Sequence, residues 1–233
     1  MTMRPRGSAA LVSIAPRLAI AVGLPLASVW IAYTRGALID LGSAIWAVGL
    51  VGMQIVRVPA VIDRFRVVTR VHARSWQDSL AVGFYGFGVF AVPCTWIIQR
   101  FSPGADYTIP GVMLIAGAFA AVAGIVLCWR SHRDLKRQWS SGLELIEGHT
   151  LVTSGVYARI RHPMYAAFAL GALSQALLLP NWIAGCAGLV GVALFLLLRL
   201  PREEKLLAGA FGADWAAYRA RTGPFWPGSG RFQ

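Results

Sequence analysis

The sequence predicts an all-α fold: a polytopic membrane helix bundle of about six transmembrane helices, followed by a C-terminal amphipathic helix. Three observations predict it: the composition, the spacing of the apolar segments and the placement of the basic residues. Of 233 residues, 57% are hydrophobic and only 14% are charged, whereas soluble domains carry about 25% charged residues. The apolar residues run along the whole chain, so a single membrane domain over 1–233 is expected. An unusually apolar soluble helical protein is the disfavoured alternative.

Six apolar segments follow one another, each approaching the ~20 residues that span a bilayer. They are residues 11–33, 38–56, 79–99, 109–129, 164–179 and 182–199. The last two are short and are separated by Pro180-Asn181, which predicts a tight helical hairpin, with one long broken helix as the alternative. Arg17 interrupts the first segment and can reach the membrane edge by its long side chain. Residues 1–30 also fit a signal peptide, but no soluble domain follows them.

Basic residues cluster at both ends of the chain and in every second connection. The second connection holds five arginines between 57 and 74, and the fourth holds six basic residues between 130 and 161. The first and third connections hold one arginine each, and the fifth holds none. This alternation predicts that both termini are cytoplasmic. It also assigns the net charge of +12 to contact with anionic lipid headgroups, with no nucleic acid as a partner.

Two cytoplasmic stretches are predicted to do more than connect helices. Residues 57–78 mix arginines with Val, Phe and Trp, which predicts an amphipathic segment along the membrane surface. Residues 201–222 predict a second amphipathic helix, with Pro201 in its first turn. Its apolar face repeats at helical spacing. The members of that face are Leu207, Phe211, Trp215 and Tyr218.

The cysteines do not indicate a redox or metal site. Cys94, Cys128 and Cys186 each stand alone inside an apolar run. No C-x-x-C pair or Cys/His cluster is present, so neither a disulfide framework nor a metal centre is predicted. We interpret the three thiols as small buried hydrophobic side chains.

Hydrogen-bonding groups concentrate in the stretch HTLVTSGVYARIRHPMYAAF, residues 149–168, just before the fifth apolar segment. Pro163 fits the first turn of that helix, where its missing N–H costs nothing. Its ring biases His162 toward extended geometry. Arg161 and His162 are thereby placed at a helix mouth whose free N–H groups bind anions such as carboxylates.

The same stretch offers partners for a cation and an aromatic ring. Tyr157 and Tyr165 present ring faces that attract a cation such as a sulfonium, and Arg161 can hold a carboxylate by two hydrogen bonds. The turn at Thr153-Ser154-Gly155 lets a ligand approach the backbone. S-adenosylmethionine combines a carboxylate, a cationic sulfur and an aromatic base. The residues by themselves also fit the alternative that they are interfacial membrane anchors.

The stretch closely resembles the signature of the isoprenylcysteine carboxyl methyltransferase family, which has the form H-x-L-V-T-x-G-x-Y-x-x-x-R-H-P-x-Y. The family's second signature is a Glu-Glu pair, then Phe-Gly, then aromatic residues on a helix. Here it corresponds to Glu203-Glu204, Phe211-Gly212, Trp215 and Tyr218. The resemblance covers about residues 130–222. It divides the chain into a variable transmembrane bundle, 1–130, and a methyltransferase signature region, 131–222.

The resemblance implies that S-adenosylmethionine binds in a pocket at the cytoplasmic face. By position, the cofactor-binding candidates are His149, Leu151, Val152, Gly155, Tyr157, Arg161, His162, Tyr165, Glu203 and Glu204. The catalytic candidates are Arg199, Glu203 and His162. Arg199 is expected to meet the acidic group of the substrate. His162 or Glu203 would act as a base only if the acceptor carries a proton to lose.

The implied function is an integral membrane methyltransferase that moves a methyl group to a lipophilic acceptor entering between helices. The carboxylate of a prenylcysteine-like substrate is the first candidate, and it needs no base because it is ionised at neutral pH. A phospholipid amine and a small thiol are the alternatives within the same class. A transporter or a non-catalytic membrane protein is the alternative from another class, and the lack of acidic residues near the centres of the apolar segments disfavours a transporter.

Overall fold

A computed structural model shows a helical bundle with one short sheet. It describes residues 40–64, 69–72, 76–138, 144–146 and 148–227, and, before them, residues 27, 30, 31, 33 and 34. The first predicted apolar segment, 11–33, lies almost entirely outside the described residues. The helices are α1 (Leu41–Arg64), α2 (Trp76–Gln99), α3 (Gly111–Leu135), α4 (Pro163–Leu178) and α5 (Trp182–Arg221). The strands are β1 (Thr69–His72) and β2 (Glu144–Ile146), which pair antiparallel.

Among the described residues, four helices are long and apolar enough to cross a membrane: α1, α2, α3 and α5. The remaining helix, α4, is apolar but only 16 residues long, about 24 Å at 1.5 Å per residue. The chain is therefore a multi-pass integral membrane protein. The all-α bundle is confirmed, whereas the predicted count of about six spans is not.

α1 has a capped start, whereas α2 contains an irregular turn. The carboxylate of Asp40 caps α1 by accepting hydrogen bonds from the backbone N–H (2.8 Å) and the hydroxyl (2.7 Å) of Ser43. α2 contains a π-helical turn at Phe87–Ala91. A π turn leaves backbone carbonyls short of partners, and the buried amide of Gln175 on α4 donates to the carbonyl of Gly88 at 3.0 Å. A side chain of α4 thus supports the irregular turn of α2.

The outer face of α3 is almost wholly apolar and exposed. Five of its side chains recur at helical spacing, and each is more than half exposed. They are Val112, Ile115, Phe119, Val122 and Val126. A continuous apolar face of this kind would be a liability in water. In a membrane protein it faces lipid, which leaves the opposite face of α3 to pack against α1 and α4.

The predicted hairpin between the last two apolar segments is present, and Asn181 holds it. The side-chain oxygen of this fully buried residue accepts from the N–H of Ala184 (2.9 Å), which caps α5. Its amide donates to the carboxylate of Asp106 (2.6 Å) and to the carbonyl of Ser102 (3.1 Å). The turn is therefore tied to the loop between α2 and α3 by hydrogen bonds that no apolar residue could make.

α5 contains the predicted C-terminal amphipathic segment, but that segment does not begin as a separate helix at Pro201. Its helical backbone continues from Trp182 through Pro201 as far as Gly212. A bilayer core is only ~30 Å thick, so the apolar part, 182–200, is long enough to span it. The charged part that begins at Pro201 extends beyond. Gly212, at φ 50° and ψ −117°, kinks the helix, and Trp215 and Tyr218 after the kink are buried.

Two smaller predictions also need correction. Residues 57–78 do not form one amphipathic segment, because they are divided among the end of α1, the strand β1 and the start of α2. Backbone pairing with β2, 72 or more residues later in the sequence, decided this local structure. Of the three cysteines, Cys94 and Cys128 are buried as expected, but Cys186 is exposed. It lies on a helix whose neighbouring outward positions are also apolar and exposed.

Candidate active site

The two predicted signature patches meet where the start of α4 faces the middle of α5. The guanidinium of Arg161 donates through Nε and one Nη to the same oxygen of Glu204, at 3.2 Å each. Nε2 of His162 lies 3.3 Å from that oxygen. The Arg161 and Glu204 side chains are 8% and 18% exposed, so the ion pair is largely shielded from water. Residues more than 40 positions apart thus form one polar site.

A second polar chain begins one turn further along α4. The Tyr165 hydroxyl donates a hydrogen bond to Glu203, and Nε of Arg199 donates to the Tyr165 oxygen at 2.9 Å. The rings of Tyr165 and His162 are stacked, with centroids 5.5 Å apart and planes 10° from parallel. The stack joins the two polar chains. We call the six side chains together the ionic site; they are Arg161, His162, Tyr165, Arg199, Glu203 and Glu204.

The ionic site keeps one carboxylate strongly ionised. A hydrogen bond from His162 lowers the pKa of Glu204 to about 2, helped by the charge of Arg161 and opposed by burial. Glu204 lies beyond the membrane-spanning part of α5. It is therefore an anion at any physiological pH, and it holds Arg161 and His162 in place by charge-assisted hydrogen bonds.

The helix mouth at α4 is already filled by the chain itself. The backbone N–H of Arg161 donates to the carbonyl of Gly223 (2.9 Å), and that of His162 to the carbonyl of Pro224 (3.0 Å). The Arg161 guanidinium also donates to the carbonyl of Thr222. These two backbone N–H groups, which precede α4, are therefore not free to bind an anionic ligand. The chain that follows α5 folds back over the helix mouth, a contact between residues about 60 positions apart.

The loop before α4 is anchored from two sides. Asp134, at the end of α3, accepts from the backbone N–H of Val156 at 2.8 Å. Gly155 has φ +62°, and a Cβ there would lie 2.1 Å from the Asp134 carboxylate, so both the backbone conformation and the space require glycine. Tyr157 is buried, and burial raises the pKa of its phenol. Its carbonyl accepts from the hydroxyl of Tyr218 at 2.8 Å.

Beside this loop lies a group of aromatic residues with unpaired polar atoms. His149 packs against Phe211, with ring centroids 5.7 Å apart, and burial lowers its pKa, so the imidazole is neutral at pH 7. Nδ1 of His149 and Nε1 of Trp215 are both buried, and neither has a hydrogen-bond partner within the described residues. Leu151 and Val152, just after His149, are half-buried. Buried polar atoms of this kind normally have partners.

Sequence reasoning missed two aspartates that hold the site together. Asp134 positions the loop before α4, as described above. Asp78, near the start of α2, is buried and pairs with Arg202 on α5 at 2.7 Å. Both aspartates stand in arginine-rich connections, where acidic residues are outnumbered by basic ones, and that contrast was the available signal. Within the described residues, no group of three or more His, Cys, Asp or Glu side chains is arranged to hold a metal ion.

Residues 115–209 match the model of the isoprenylcysteine carboxyl methyltransferase (ICMT) family. The match begins in α3, covers the loop and α4, and ends in α5 just after Glu203 and Glu204. It confirms the resemblance seen in the sequence. It leaves outside α1, α2 and the part of the second signature that contains Phe211, Trp215 and Tyr218.

Curated relatives match parts of the chain. Protein-S-isoprenylcysteine O-methyltransferase A of Arabidopsis thaliana is 33% identical over 107 residues, which are 46% of this chain and 52% of that protein. The Schizosaccharomyces pombe protein-S-isoprenylcysteine O-methyltransferase is 36% identical over 74 residues, 32% of this chain and 31% of that protein. The Homo sapiens protein of that name is 39% identical over 79 residues, 34% of this chain and 28% of that protein. The chain thus spans about half the length of these relatives, or less.

Proposed function

We propose, from this family resemblance, that the chain is a membrane methyltransferase that transfers a methyl group from S-adenosylmethionine to the carboxylate of a lipophilic, prenylcysteine-like acceptor. One observation carries the proposal: Glu204 lies within 3.3 Å of both Arg161 and His162, so two separate signatures share one site. The relatives' names, which describe O-methyltransferases of isoprenylated cysteine, support the acceptor class. We further propose that the site faces the cytoplasm, as the basic connections predict.

The residues near the site fit an adenosyl ligand. The buried and unpartnered Nδ1 of His149 and Nε1 of Trp215 would gain partners from a nucleoside, and the ring of Phe211 beside His149 offers a stacking surface. The residues that would hold the ligand are His149, Leu151, Val152, Gly155, Tyr157, Arg161, His162, Tyr165, Glu203 and Glu204. To these we add Trp215.

When bound, S-adenosylmethionine supplies a methyl group on a sulfonium. The methyl group goes to a carboxylate oxygen, and the electron pair of the broken S–C bond stays on sulfur, so no proton moves. An ionised acceptor needs no base. The chain then has to position the acceptor and exclude water. Tyr165 and Glu203, locked together by a hydrogen bond, form the wall of the site that lies nearest the apolar interior.

The contacts of Arg199 support a different role from the one expected from the sequence. Its Nε donates to Tyr165 at 2.9 Å and lies 3.8 Å from Glu203. The guanidinium is buried against the ring of Phe195 at 5.6 Å. Because these contacts already engage the cation, we assign Arg199 to positioning Tyr165 and Glu203 rather than to binding the acceptor's acidic group.

Calorimetry on the purified full chain tests the cofactor. We expect S-adenosylmethionine to bind, and Glu204→Gln and His162→Ala to weaken binding at least tenfold, because each removes a contact that orders the start of α4. Asp214→Asn is the matched control, since Asp214 is an exposed acid on the same helix and should bind like the wild type. A well-folded wild type that takes up no ligand at millimolar concentration would refute the proposal.

Radiolabelled methyl transfer to a panel of acceptors tests the acceptor class. The panel contains an S-prenylated N-acetylcysteine, phosphatidylethanolamine and a small aliphatic thiol. We expect transfer to the prenylated carboxylate only. Label on the amine or the thiol would assign the chain to one of the other methyltransferase classes.

A further inference from the structure

Arg57, on α1, is a cation at the edge of the apolar interior that the ionic site does not use. Its guanidinium carbon lies 5.2 Å from the ring centroid of Phe168 on α4. Its one hydrogen bond among the described residues is long, 3.3 Å from an Nη atom to the side-chain oxygen of Gln54. Its Nε is buried and has no partner within the described part of the chain. Arg57 lies outside the residues that match the family model.

The pairing of Arg57 differs from that of the other arginines near the site. Arg161, Arg199 and Arg202 each face a carboxylate within 4 Å. No described carboxylate lies that close to Arg57. Removing an arginine from water is costly unless an anion and hydrogen bonds replace the lost hydration. The half-buried guanidinium of Arg57, whose Nε has no partner within the described residues, is therefore suited to bind an anion.

An apolar cleft begins directly below Arg57. Met53, Leu50 and Trp46 continue the face of α1 that carries Arg57, and all three line the cleft. Across from them stand Tyr85 of α2 and Phe168 of α4, whose rings touch at 5.2 Å. The same Phe168 ring that carries the Arg57 guanidinium thus forms the upper wall of the cleft.

The cleft is narrow, with a volume of about 30 Å³, which is room for only about two water molecules. A tail would enter by displacing side chains. Met53 is suited to this because an unbranched thioether changes rotamer easily. Its terminal methyl fills the space beside Gly124 and Gly171, within 3.3 and 3.7 Å of where a Cβ would stand on each. Rotation of the Met53 side chain would therefore open the cleft beside α3 and α4, which have glycine at these positions.

Arg57 also lies on the membrane side of the ionic site. Phe168 follows Tyr165 by one turn of α4, and their ring centroids are 6.2 Å apart. Tyr165 in turn stacks on His162. An acidic head at Arg57 would therefore lie one helical turn from Tyr165, with the apolar cleft beneath it and the ionic site above it.

We propose that Arg57 receives the carboxylate of the acceptor while the acceptor's apolar tail enters the cleft below. The inference rests on the proposed function, which it deepens by naming the residue that selects an anionic head over a neutral one. The geometry requires an amphiphile: a small anion would lack the tail, and an uncharged lipid would leave Arg57 unpaired. Specificity then arises outside the residues that match the family model.

Binding to the full chain in nanodiscs of neutral lipid tests this directly. The probes are an S-prenylated N-acetylcysteine and its carboxamide, which has the same tail and no charge. We expect Arg57→Gln to weaken binding of the acid at least tenfold and to change binding of the amide less than twofold. Arg57→Lys should recover part of the lost affinity for the acid. S-adenosylhomocysteine, measured in the same preparations, should bind all the variants like the wild type.

Arg133→Gln is the matched control. Arg133 makes the same kind of contact, over the ring of Trp129 at 5.3 Å, but it is exposed, so acid binding should not change. Equal loss of acid and amide in Arg57→Gln would assign Arg57 a structural role and overturn the inference. So would an affinity for the acid that does not depend on Arg57. Loss of acid binding in the wild type on adding anionic phospholipid would show that Arg57 holds a lipid phosphate instead.

The two proposals fail separately. If S-adenosylhomocysteine does not bind the wild type, the proposed methyl transfer is wrong, whereas the acid and amide titrations still decide what Arg57 does. If S-adenosylhomocysteine binds and Arg57→Gln leaves the acid unaffected, the enzyme class stands and only the selection by Arg57 is refuted.

Discussion

The ionic site and the helix crossing between α2 and α5 hold their parts together by different means. In the ionic site, charged side chains meet in pairs, and Glu204 serves both Arg161 and His162. At the α2–α5 crossing, helices approach through residues without side chains. A Cβ on Gly88 would lie 2.2 Å from the carbonyl of Ala187, and one on Gly191 would lie 2.6 Å from the carbonyl of Phe84. Charge positions the chemistry, whereas close backbone contact positions the helices that carry it.

The difference follows from the two surroundings. Lipid tails are as apolar as Leu or Val side chains, so helices in a membrane gain little from burying large apolar groups and associate through small residues and close packing. At the membrane edge, water competes for each charge. There an ion pair is specific only when it is shielded and held by several hydrogen bonds, as Arg161 is.

The largest effect should come from breaking the ionic site. Glu204→Gln leaves the buried Arg161 without its counter-charge, and losing one partner of a buried pair costs about 3 kcal/mol. We expect a fall of that order in the free energy of unfolding in detergent, measured by denaturant titration. Asp214→Asn should leave stability unchanged. A Glu204→Gln protein as stable as the wild type would show that the ionic site does not support the fold.

A smaller effect should come from the helix crossing. Gly88→Ala places a methyl group against backbone, which cannot move aside, and overpacking of this kind costs about 1–3 kcal/mol. The matched control is Gly83→Ala in the same helix, where a Cβ would meet nothing within 4 Å, so stability should hold or rise. Thermal unfolding of both variants decides the point. Equal behaviour would mean that the close approach of α2 and α5 carries no stability.

Acidification should remove the contribution of Glu204 gradually instead of all at once. The pKa of Glu204 in the folded protein is about 2, below its ordinary value of 4.5. A lowered pKa means that the ionised group stabilises the fold fully above pH 4.5 and that this contribution is lost as the pH falls toward 2. Thermal unfolding of the wild type and of Glu204→Gln should therefore converge as the pH is lowered through this range. A constant difference between the two would contradict the assigned pKa.

The sequence predicted the elements better than their connections. The hairpin at Pro180-Asn181 was predicted correctly because a proline and a helix-capping asparagine act on neighbouring residues. The start of the C-terminal amphipathic helix was placed wrongly because Pro201 suggested a helix start. In the structure the helix continues through Pro201 and kinks at Gly212 instead. Residues 57–78 were misjudged because β1 pairs with a strand beyond α3.

The sequence named residues of the candidate site, but it did not predict the contacts that they make. Spacing and resemblance named Arg161, His162 and Glu204, and the structure brings them together. It also shows that Arg161 serves Glu204 and the carbonyl of Thr222 rather than standing free. Asp134 and Arg57 acquire their importance only from what lies opposite them, which no local pattern in the sequence expresses.

By itself the sequence determined that this chain is a helical membrane protein, which segments are apolar, and where its polar groups concentrate. Composition, helical spacing and the placement of arginines reveal this because every chain that crosses a bilayer needs apolar segments of sufficient length and charges outside them. The tertiary structure decided which charges are paired, which backbone groups close the helix mouth, and that Arg57 faces an apolar cleft without a described counter-charge. Those outcomes depend on contacts between residues that are about 40 to 110 positions apart in the sequence. Only the packing of the folded chain brings such residues together.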